Sequence, residues 1–139
     1  MSRTPGAILP FTDAQAVALL GFVGIIVGSF LPWAKVGFLS IEGTAGDGQI
    51  TLALGAAGAF FFLIGRSNGW LLVVAMAMAV TAAGIGAYDA SNVAELAGEG
   101  ASLFPVRVGV GLWIVIISGI LAALGCLLGD FGQPRRRRR

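Results

Sequence analysis

The chain contains no histidine and a single cysteine, Cys126. Without histidine it lacks the usual general base near neutral pH and the commonest ligand for zinc and haem iron. Membrane zinc-protease, haem-carrier and proton-pump chemistries are therefore not expected. One cysteine cannot close an intrachain disulfide, and Cys126 lies inside an apolar run, where it reads as a small packing residue. Charge is scarce too: 9 Lys and Arg and 7 Asp and Glu make 12% of 139 residues, against 57% hydrophobic ones. Soluble domains carry roughly twice that charged share, about 25%. With a mean hydropathy of +0.90, the solvent expected for most of this chain is lipid.

Four apolar runs stand out, at residues 14–31, 50–65, 70–87 and 106–128. Each approaches the roughly 20 residues that cross a hydrocarbon core of about 30 Å, and the second is the shortest. The expected fold is an all-α integral membrane bundle of four transmembrane helices, with a small external β-hairpin between helices one and two. Residues 1–131 form its single domain and residues 132–139 a basic cytoplasmic tail. Apart from Arg107 at the outer edge of the fourth run, these runs hold no Asp, Glu, Lys or Arg. Ion-coupled transport needs ionisable groups at membrane depth, so that class is disfavoured. Ser29 and Ser118 have no base in sight and are expected to bond to their own helix or across a helix pair.

Orientation follows from the basic residues, which accumulate on the cytoplasmic side of a membrane. Arg3 precedes helix one, Arg66 sits in the tight turn between helices two and three, and Arg135, Arg136, Arg137, Arg138 and Arg139 end the chain. The two longer loops hold only Lys35 and Arg107 as cations, against Glu42, Asp47, Asp89, Glu95 and Glu99. Both termini are therefore expected inside the cell, in a multi-pass protein of the cell membrane. The five terminal arginines are expected to contact anionic headgroups, at about 1 kcal/mol each, rather than nucleic acid.

The first external loop, residues 33–49, is expected to fold as a hairpin on the membrane surface. Its first β-prone stretch carries Phe38, residues 43–48 are its Gly-rich turn, and residues 49–51 begin the return. Trp33, just after Pro32, is expected either to anchor at the interface or to act as a pivot for the hairpin. Asp47, between Gly46 and Gly48, invites a calcium reading, but Asp-Gly is simply a good turn and the ligand spacing of a calcium loop is absent. No metal or cofactor is expected. The second external loop, residues 88–105, is expected to hold a short helix within residues 92–103.

Small residues are the main positive signal inside the membrane. Gly21, Gly24 and Gly28 in helix one and Gly55 and Gly58 in helix two permit close backbone approach, and Gly24 and Gly28 form a GxxxG pair. They serve either packing within the bundle or a face left over for assembly. Phe60, Phe61 and Phe62 are consecutive around helix two, so at least one ring is expected to face lipid or a partner.

The stretches Gly28-Ser29-Phe30-Leu31-Pro32-Trp33, Gly46-Asp47-Gly48-Gln49-Ile50-Thr51-Leu52 and Val108-Gly109-Val110-Gly111-Leu112-Trp113 resemble a group of small four-helix membrane proteins of actinobacteria and archaea. That resemblance implies a four-helix membrane fold and carries over no catalytic residue. The layout is also similar in outline to that of claudins, with a Trp after helix one and a β-rich first loop. The claudin Cys pair and fuller Trp motif are missing, so the likeness concerns shape alone.

The function expected from these features is a non-enzymatic structural or assembly role, as a homo-oligomer or as an accessory subunit of a larger membrane complex, with membrane lipids as constant partners. The alternative is a passive pore or a lipid-binding protein, with helix two and its phenylalanines holding an acyl chain.

Overall fold

A computed structural model describes residues 13–65, 68–99 and 104–131. Arg3, Arg66 and the tail arginines Arg135 to Arg139, with their orienting and headgroup roles, lie outside the described residues.

Four helices form: α1 (Asp13–Phe30), α2 (Gly48–Ile64), α3 (Gly69–Glu99) and α4 (Val110–Phe131). They pack as a ring in which α1 touches α2 and α4, and α3 completes the circle between them. Three of them, α1, α3 and α4, are long and apolar enough to cross a membrane, while α2 is shorter at 17 residues.

The closest seam, between α1 and α4, is built from small residues that meet in an antiparallel series. A Cβ on Gly21 would fall 2.7 Å from Ala122 Cα, and one on Gly28 would fall 2.8 Å from Val115 Cγ2. Gly125 in turn lies against Ala18. With no side chain between the backbones, dispersion contacts accumulate along the whole seam, which is how helices associate where lipid removes the hydrophobic drive. Across the bundle, Gly58 receives the Phe22 ring and Gly55 the Ile25 side chain. Phe22 and Phe62 then pack at 6.1 Å between ring centroids. All five glycines singled out in α1 and α2 are thus spent inside the chain. Cys126, 2% exposed, fills a gap in the same core.

The remaining faces carry large apolar side chains turned outward. On α1 these are Val17, Leu20, Val23, Val27 and Phe30, spaced three or four residues apart along one stripe. The three phenylalanines of α2 divide as their positions dictate: Phe62 is buried, Phe61 half-buried and Phe60 exposed.

Three expectations about the loops need correction. The hairpin is β1 (Pro32–Val36) and β2 (Leu39–Glu42), joined by the two-residue turn Gly37-Phe38 rather than by residues 43–48. Gly37 takes φ +62°, the left-handed value that a tight hairpin demands at its first turn position and that glycine alone adopts freely. The Gly-rich stretch is instead a 3-10 turn (Gly43–Ala45), and the expected return strand, residues 49–51, is the first turn of α2. Second, α3 does not stop at residue 87. Residues 88–99 contain no proline, are rich in alanine and place Ala90 and Val93 against the apolar cluster of Trp33 and Leu112, so the helix continues through the loop. Third, α4 starts at Val110 and not at residue 106. Val106-Arg107-Val108 follows Pro105 with β-branched alternation and forms β3 (Val106–Val108). The expected hairpin is therefore a three-stranded antiparallel sheet in the order β2-β1-β3. It ties both long loops to one end of the bundle.

Candidate functional site

The sheet end is organised around Trp33. Its indole is 6% exposed, and Nε1 donates a hydrogen bond to the Gly28 carbonyl at 3.0 Å. Gly43 sits against the indole so closely that a Cβ there would meet the ring nitrogen and the Ser29 carbonyl. Gly109 N donates to the Trp33 carbonyl at 2.7 Å, and Gly43 N donates to the Leu31 carbonyl at 3.1 Å. The pivot role fits this setting, whereas an interfacial anchor would leave the ring accessible. Trp70 and Trp113, by contrast, are more than half exposed.

Just below, Ser29 of α1 and Thr51 of α2 meet at 2.8 Å between hydroxyl oxygens, both completely buried. Ser29 Oγ also reaches the Ile25 carbonyl at 2.8 Å and Thr51 Oγ1 the Gly48 carbonyl at 3.0 Å. Two hydroxyl protons serve three contacts, and the pair joins α1 to α2. Ser29 thus bonds both within its own helix and across a helix pair, as expected. Ser118 packs on Gly24, where a Cβ would fall 2.8 Å from Ser118 Cβ.

Between the sheet, the 3-10 turn and the extension of α3 lies a cleft of about 320 Å³. Trp33, Ala34, Ile41, Val93 and Leu112 supply its apolar walls, and Glu42, Asp47, Asp89 and Asn92 its polar groups. Among the described residues no lysine or arginine lines it. Each carboxylate arrives from a different element. Glu42 ends β2 and Asp89 follows the apolar part of α3. Asp47 stands at the N-cap of α2, yet its carboxylate makes no capping bond; its backbone carbonyl accepts from Ile50 N and Thr51 N instead. Asp89 Oδ2 is shielded from solvent and has no hydrogen-bond partner among the described residues. A negative cleft with apolar walls can receive a cationic side chain whose aliphatic stem packs on the walls.

Asp47 was legible as a candidate, although its cleft was not. Gln49, two residues on, donates to the Thr44 carbonyl at 2.9 Å. Among the described residues no group of three His, Cys, Asp or Glu side chains is placed to hold a metal ion. Sequence reasoning did not single out Asp89 as a partner of Asp47, because it reaches the cleft only when α3 continues past residue 87. Phe38 stands at the tip of the hairpin, 91% exposed. No protein-family model, curated protein or solved structure matches the chain.

Proposed function

We propose that this chain is a four-span protein of the cell membrane, with both termini cytoplasmic, and that it works by assembly with copies of itself or within a larger membrane complex rather than by catalysis. α2 is the fourth span on this reading: 17 residues reach about 25 Å, which a locally thinned bilayer accommodates. The extension of α3 and the sheet then stand outside the lipid.

The observation that carries the assembly reading is the exposed edge of that sheet. β2 is an edge strand whose four residues are all exposed. Leu39 is 66% and Ile41 49% exposed, and Phe38 projects beside them. Beyond the apolar spans no hydrocarbon covers these side chains, and an unpaired strand edge with apolar residues is a template for another protein surface. A conduit through a single chain has no comparable support, because Phe22, Ile25, Phe62 and Val115 fill the bundle interior.

Native mass spectrometry of the protein in lipid nanodiscs tests the reading. A discrete multiple of the 14.2 kDa chain, or a co-purifying subunit, is expected, and Phe38→Ser should reduce that species without unfolding the monomer. A clean monomer carrying a bound lipid would overturn it in favour of lipid binding.

A further inference from the structure

The sheet has two faces of different chemistry. Lys35 of β1 is directly opposite Arg107 of β3 on one side and Ser40 of β2 on the other. Directly opposed residues share a face, and all three are exposed. Their neighbours along the strands, Ala34, Val36, Val106 and Val108, turn the other way and are half-buried. Two like charges placed side by side destabilise a sheet, and among the described residues neither Lys35 nor Arg107 makes an ion pair. On the opposite face, Ala34 and Ile41 help to wall the cleft that holds Glu42, Asp47 and Asp89. One side of the sheet therefore carries the two cations, and the other opens on the cleft, where Asp89 has a buried oxygen with no hydrogen bond among the described residues.

We propose that these two surfaces recognise each other between copies: Lys35 and Arg107 of one chain dock against the acidic cleft of the next. The inference rests on the assembly reading above and specifies its interface. Copies in one bilayer share an orientation, so their symmetry axis lies along the membrane normal. Different patches on the two sides of each chain then make a head-to-tail contact that closes into a ring when the rotation allows. Complementary potentials set the register of such a contact and reject misaligned neighbours. The exposed Asp47 carboxylate accepts the neighbour's guanidinium or ammonium at the mouth of the cleft, and the negative charge there offsets the mutual repulsion of Lys35 and Arg107.

The test uses the full chain in nanodiscs and native mass spectrometry on two charge-reversed variants. Lys35→Glu with Arg107→Glu changes only exposed side chains, and Asp47→Lys with Asp89→Lys inverts the cleft. Each variant alone is expected to lose the oligomeric species of the wild type, and mixing the two before reconstitution should restore it as mixed oligomers, since the reversed faces complement each other. If the cleft variant does not fold, Asp47→Asn with Asp89→Asn replaces it and should weaken assembly of otherwise wild-type chains. Wild-type copy number in the Lys35→Glu, Arg107→Glu variant overturns the interface while leaving assembly standing. A wild-type monomer removes both. An anionic lipid that is lost from that variant while copy number stays the same would assign Lys35 and Arg107 to a headgroup and overturn the proposal.

Discussion

Gly24 of α1 lies against Ser118 of α4 so tightly that a methyl group on the glycine would overlap the serine hydroxyl. The GxxxG pair of α1 thus closes the chain on itself.

Replacing Gly24 by Leu should therefore lower the stability of the single chain. Overpacking a tight site costs about 1–3 kcal/mol, occasionally more, read as a fall in the thermal unfolding midpoint in detergent. Gly84 of α3 has nothing within 4 Å of where its Cβ would be, and Gly84→Leu should leave that midpoint unchanged or higher. An unchanged midpoint in Gly24→Leu, with a lower copy number, would move the glycine to an intermolecular face.

Trp33 should behave as a keystone of the sheet end. Trp33→Ala removes a buried aromatic ring and is expected to cost about 3–5 kcal/mol. Trp33→Phe keeps much of the ring and removes only the indole donor from the Gly28 carbonyl, which still accepts from Leu31 N, for a loss of about 0.5–1.5 kcal/mol, the net worth of one hydrogen bond. Chemical denaturation in micelles separates the two, and a Trp33→Phe variant as stable as the wild type would mean that the Nε1 bond contributes nothing.

Topology is checked with single cysteines in a Cys126→Ala background. Ser40→Cys, at an exposed position in β2, should react with a membrane-impermeant thiol reagent on intact cells. Asn68→Cys, at an exposed position between α2 and α3, should react only after lysis. The reverse pattern would invert the orientation argued from the arginines.

What could be read along the chain follows from local chemistry. Runs of apolar residues without charges announce helices wherever they occur, and the glycine spacing in α1 announces a close seam. Trp33 after Pro32 marks the point where α1 gives way to other structure. The loops were less legible because their signals compete. Both Gly37 and the glycines at 43, 46 and 48 suit a turn, and only the pairing of Val36 with Leu39 selects the first. Residues 49–51 suit a strand by composition, but they become helical where the turn before them leads into α2.

The sequence by itself determined the number of apolar helices, the lipid-like surface they present and the absence of histidine chemistry, because hydropathy and composition act residue by residue. The tertiary structure alone decided which small residues were consumed, since a glycine seam and a free glycine face read alike until a partner helix is placed. It also decided that β3 joins the hairpin and that Asp89 shares a cleft with Asp47. Those contacts link segments more than forty residues apart, and no local preference encodes a meeting between them.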